Sequence, residues 1–140
     1  MAEGILKSML KEMNIEDINV SSAGISAFEG EPANEKAIVT LNKKGIDIKN
    51  HRARQLTREI INKSDLILTM TGSHKKMILN LFPESSHKVY TLKEYACIVS
   101  QEEVAGKNLD IADPYGFGYD VYEKTAGEIE EHLKKIIAGR

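Results

Sequence analysis

Cysteine occurs once in the 140 residues, at Cys97, and tryptophan does not occur at all. A single thiol excludes an internal disulfide and fits a reducing compartment such as the cytoplasm. Long apolar runs are missing too, and none approaches the ~20 residues of a membrane span. Met1-Ala2-Glu3-Gly4 is acidic where a secretory leader would place a basic stretch ahead of an apolar one. Neither sign of charge dominates: 19 Lys and Arg against 21 Asp and Glu leave a net charge of −2. That balance argues against nucleic-acid or membrane-surface binding resting on bulk charge. His74, His87 and His132 show no metal-ligand spacing, so no metal is expected. Without repeats, low-complexity tracts or linkers, residues 1–140 read as one domain.

What is present is the composition of a globular chain, 41% hydrophobic and 29% charged, long enough to bury a core. Ile5, Leu6, Met9, Leu10 and Met13 recur at helical spacing and predict an amphipathic helix over 2–13. Ile18-Asn19-Val20-Ser21 alternates as a short strand. Pro32 precedes a second helix carrying Ala37, Ile38 and Leu41, closed by Gly45. Thr57 is the N-cap expected for a short helix to Lys63. Asp65-Leu66-Ile67-Leu68-Thr69-Met70 is almost uninterrupted apolar, as for a strand covered on both faces. Ser73 is read as the cap of a helix with Met77, Ile78 and Leu81 inward, which Pro83 stops. A third strand follows at 89–92, then a helical turn over 93–96. Residues 100–112 are irregular, and Val121, Tyr122, Thr125, Ile129, Leu133 and Ile136 mark a long final helix. Alternating helices and apolar strands predict an α/β fold, a three-layer sandwich with a mainly parallel sheet. The count is odd, however, because the first helix follows no strand.

The stretch best suited to chemistry is Asp113-Pro114-Tyr115-Gly116-Phe117-Gly118. Proline fixes its own φ and restricts the residue before it, so the Asp113 carboxyl is held in place. Burial that raised its pKa would make it a general acid. Taken alone, the same six residues also read as a surface turn, since Asp, Pro and Gly are the commonest turn formers.

With Ser22-Ala23-Gly24, His51-x-Ala53-Arg54-x-Leu56, Asp65-Leu66-Ile67-Leu68-x-Met70 and Asp113-Pro114-Tyr115-Gly116 in that order and spacing, the chain resembles the low-molecular-weight protein phosphatases. These are small cytoplasmic hydrolases of protein phosphotyrosine and phosphoarginine. Lys88-Val89-Tyr90-Thr91-Leu92 and Tyr119-Asp120-x-Tyr122 resemble the bacterial protein-arginine phosphatase branch. The resemblance implies Asp113 as general acid, Tyr115 and Phe28 as aromatic walls of the substrate pocket, and Ser22 with His51 as supports of the phosphate loop. It also implies a phosphorylated protein substrate and no cofactor. Arg52, Arg54 and Arg58 read as a solvated face.

The resemblance is incomplete at one place. The family opens with a buried strand and a Cys-x5-Arg loop ending in Ser-Pro, and the segment matching this chain begins after that loop. Cys97 follows a helical turn and has no arginine six positions on, so it reads as a buried structural thiol. The expectation is therefore an amino-terminally truncated phosphatase domain whose central first strand is missing and which is inactive as it stands. The other reading is a non-catalytic remnant acting as a binding module. Thioredoxin-coupled arsenate reductases share the architecture but need further redox cysteines. In the family's sheet the missing strand lies between 18–21 and 65–70. Its removal would leave a gap of roughly 9.6 Å, twice the ordinary strand spacing, so those two segments are expected not to pair.

Overall fold

Helix α1 (Ala2–Glu12) forms where the 3.6-residue spacing predicted it, and turns Ile5 and Leu10 into the core. Gly4 lets the first turn approach closely, since a Cβ there would stand 2.6 Å from Ile48 Cγ2. That approach brings the start of α1 against the run leading into His51. The computed structural model describes residues 1–140, which fall into two compact units, Met1–Gln55 with Asp113–Glu130, and Leu56–Ala112 with Glu131–Arg140.

In the first unit, α2 (Glu35–Asn42) starts two residues later than Pro32 suggested, because the Asn34 side chain accepts from Lys36 N–H as N-cap. Its buried residues Ala37, Thr40 and Leu41 share the core with Ile5, Leu10 and Ile48. The first turns of α6 (Tyr119–Ala138) add Tyr122, Ala126 and Ile129. The strand expected at 18–21 is absent. None of the backbone groups of Ile18–Ser21 enters a backbone hydrogen bond, and a segment without a ladder is not a strand. Beside it runs an open cleft of about 480 Å³, bounded by Leu10, Ile15, Ile18 and Val20 with Lys7 and Lys11 at its edge.

In the second unit, Thr57 caps α3 (Arg58–Lys63) as expected, accepting from Ile60 N–H. The apolar run yields only three residues of strand, β1 (Ile67–Thr69), paired in parallel with β2 (Val89–Thr91). That pair is the whole sheet, so two strands stand where three were expected. Ile67 and Leu68 remain half-buried, as befits a strand with a neighbour on one side only. Helix α4 (Gly72–Leu81) is capped by Thr71, not Ser73, and Asp110 Oδ1 accepts from its Gly72 N–H at 2.8 Å. Of its apolar residues Ile78 is buried, whereas Met77 and Leu81 are exposed rather than inward. Pro83 opens a 3₁₀ segment to Lys88. The turn expected at 93–96 is a fuller helix, α5 (Leu92–Val99), begun by a capping box between Thr91 and Glu94. Cys97 lies in this helix and is buried, as expected. The architecture is thus α/β with a parallel strand pair, and no helix is long and apolar enough to cross a membrane.

Candidate active site

All five residues singled out for chemistry, Ser22, Phe28, His51, Asp113 and Tyr115, belong to the first unit. Asp113 lies on the loop entering α6. Its Oδ1 accepts from Tyr115 N–H at 3.0 Å, a local turn that orients the carboxyl. Phe117 N–H then reaches Pro114 C=O at 3.0 Å, closing a second turn with Gly116 at φ +86°. A positive φ at the third position of such a turn is what glycine supplies. Asp113 is not buried: it is exposed, and Tyr115 beside it is 73% exposed. Beneath them Tyr122 is buried. Loss of water, followed by the charges of Asp113 and Tyr115, pushes its phenol up.

Ser22 and His51 are brought together by a residue that sequence reasoning did not single out. Glu3, in the first turn of α1, accepts from Ser22 Oγ at 2.9 Å and lies 3.4 Å from His51 Nδ1. Lys7, one turn on, reaches the same carboxylate at 3.3 Å. Burial opposes the charge on Glu3, but the Ser22 and Lys7 hydrogen bonds and the charges of Lys7 and His51 outweigh it, holding the carboxyl below its ordinary range. A serine–glutamate contact across nineteen residues leaves no periodic trace in a sequence.

Phe28 stands at the tip of a loop closed at both ends by the run after His51. Gly24 bridges Gln55 in parallel and Pro32 bridges Arg52 antiparallel. Gly24 N–H donates to Arg54 C=O and Gly30 N–H to Ala53 C=O, both at 2.9 Å. Ala53 N–H returns a bond to Glu31 C=O at 2.7 Å. At the tip Phe28 is 76% exposed. Of the arginines expected on a solvated face, Arg52 and Arg58 are exposed and Arg54 is half-buried, and each has a partner. Arg52 donates to the carbonyls of Lys49 and His51. Arg54 donates to Ser22 C=O and Ser21 Oγ, and Arg58 pairs with Glu84. No group of three or more His, Cys, Asp or Glu side chains is placed to hold a metal. The structure therefore links Ser22 to His51 through Glu3, and sets Asp113 and Tyr115 side by side above Tyr122.

In the first unit, then, an oriented carboxyl at Asp113 has the exposed ring of Tyr115 beside it. The chain belongs to the low molecular weight phosphotyrosine protein phosphatase family, which it matches over residues 1–139. It is 37% identical over 136 residues to the protein-arginine-phosphatase of Bacillus subtilis, covering 97% of this chain and 84% of that one. It is 34% identical over 139 residues to a probable low molecular weight protein-tyrosine-phosphatase, EpsP, of Ralstonia nicotianae, covering 99% of this chain and 80% of that one. Among solved structures, the low molecular weight protein tyrosine phosphatase of T. tengcongensis superposes with a TM-score of 0.86 at 38% identity. That superposition covers 98% of this chain and 87% of the other.

Proposed function

We propose that residues 1–140 form one phosphatase domain that supplies the acid and the recognition surface for hydrolysing phosphate from tyrosine or arginine side chains of proteins. The reading is carried by Asp113, whose carboxyl is held at one oxygen by Tyr115 N–H and has no hydrogen bond at the other. In this reading a thiolate attacks phosphorus, the bond to the leaving oxygen or nitrogen breaks, and Asp113 gives that atom its proton. Asp113, now a carboxylate, then takes a proton from the water that hydrolyses the phosphocysteine. Tyr115 and Phe28 clasp the substrate side chain, and Ser22 and His51 brace the phosphate loop. The substrate is a phosphorylated protein in the cytoplasm, and no cofactor takes part.

The thiolate is not among these residues. Cys97 is 6% exposed within α5, with Lys107 Nζ 3.9 Å from its sulfur, and no arginine-bearing loop surrounds it. Purified protein of these 140 residues should not turn over p-nitrophenyl phosphate, and joining it to a strand and Cys-x5-Arg-Ser-Pro loop ahead of Met1 should confer turnover. In that extended protein Asp113→Asn should slow poor leaving groups by ~10²–10⁴-fold and good ones much less. Equal slowing of both would make Asp113 structural. Turnover by the 140 residues that survives alkylation of Cys97 would overturn the site. An extended protein without turnover would favour the binding-module reading. Phosphoarginine and phosphotyrosine peptides compared on the active form decide the substrate.

A further inference from the structure

The loop carrying Phe28 is filled by the side chain of Gln55. Its Oε1 accepts from Ala27 N–H at 3.0 Å, and its Nε2 donates to Ile25 C=O. The side-chain amide therefore does for residues 25 and 27 what a neighbouring strand would do, satisfying one donor and one acceptor across the loop interior. Gln55 N–H is taken up by Glu29, the residue after Phe28. Two bonds from the Gln55 side chain thus hold the backbone leading up to Phe28, and its N–H holds the Glu29 carboxylate beyond, while the rest of the loop hangs from Arg52, Ala53 and Arg54.

We infer that Gln55 is a positioning residue that sets the pose of Phe28 and, through it, the grip on the substrate side chain. The inference rests on reading Phe28 as a wall of the substrate site. Gln55 touches no reacting atom; its effect reaches substrate only through the loop. The bulky exposed ring makes no hydrogen bond, so its direction depends on the backbone before it, held by Gln55 at 25 and 27, and on the turn in which Phe28 C=O accepts from Glu31 N–H.

The test has two arms. In the 140-residue chain, amide exchange of Gln55→Met should show Ala27 protection falling about tenfold, the loss of one hydrogen bond. Gly24, Gly30 and Ala53 should stay protected, because their bonds do not involve the side chain. Gln55→Glu keeps the acceptor for Ala27 N–H but sets a carboxylate oxygen against Ile25 C=O, so Ala27 protection should fall between that of the unaltered chain and that of Gln55→Met. Loss of protection at all four amides, or at none, would overturn the inference. In the active, loop-bearing protein, Phe28→Ala and Gln55→Met should each raise KM several-fold with kcat little changed. Gln55→Met should then add nothing in the Phe28→Ala background. If Phe28→Ala raises KM and Gln55→Met does not, or the two effects multiply, the role of Gln55 fails while the wall stands. If Phe28→Ala leaves KM unchanged, the wall itself fails, and with it the link from Gln55 to substrate.

Discussion

Replacing Glu3 with glutamine should cost stability at neutral pH and nothing in acid. The Glu3 carboxylate takes a 2.9 Å bond from Ser22 and faces Lys7 and His51 at 3.3 and 3.4 Å, with its side chain 19% exposed. Glutamine keeps the shape and a neutral acceptor for Ser22 but loses the charge. A hydrogen bond to a charged group contributes ~1.5–3 kcal/mol and a neutral one ~0.5–1.5, so the change costs about 1–1.5 kcal/mol. The ion pair with Lys7, whose side chain is 56% exposed, adds only a few tenths of a kcal/mol on a helix surface. Because the folded-state pKa of Glu3 is depressed, its contribution is full above the unfolded value, about 4.3, and is lost as pH falls through the folded one. Urea unfolding of both proteins at pH 7 and below pH 4 measures it. The deficit should be about 1–1.5 kcal/mol at pH 7 and should shrink toward zero in acid, where a protonated glutamate resembles glutamine. An equal deficit at both pH values would show that the charge does not hold this cluster together.

Two further perturbations test the packing of each unit. Lys88 Nζ donates to Ile61 C=O and Ser64 C=O at 2.7 and 2.8 Å, satisfying the carboxyl end of α3. Lys88→Met should therefore destabilise by about 2 kcal/mol, read as a lower urea midpoint with an unchanged slope. Thr40 is 1% exposed and its Oγ1 has no hydrogen-bond partner. Thr40→Val should be neutral or stabilising by up to ~1 kcal/mol, and a thermal melt lowered by several degrees would disprove that.

Much of this molecule was legible in the chain because it is written locally. Thr57 announces α3, the 3.6-residue spacing announces α1 and α6, and the turn chemistry of Asp113 to Gly118 announces a loop that holds a carboxyl. The failures are non-local. Ile18–Ser21 has strand-like alternation, but alternation becomes a strand only against a partner. Ser73 and Thr71 are equally good caps by type, and Thr71 serves because its backbone is extended, with φ −131° and ψ 158°. Met77 shares the apolar character of Ile78 and yet faces outward, because a helix of ten residues has one buried stripe. Glu3 and Gln55 were invisible for another reason: their partners lie nineteen and about thirty residues away, and neither residue type stands out in a sequence. The resemblance to the phosphatases supplied names for Ser22 and His51, but not the carboxylate that joins them.

The run from His51 to Gln55 has a consequence for how such a protein can change. Its first residue reaches the glutamate of α1, its last fills the loop of Phe28, and its backbone carries the bridges to that loop. Five consecutive positions are thus committed at both ends, so an insertion or deletion within them would shift the helix-side cluster and the aromatic loop at once. The tip at Phe28 carries no such commitment. The exposed side chain at the tip can therefore be exchanged with the five-residue rail beneath it left alone.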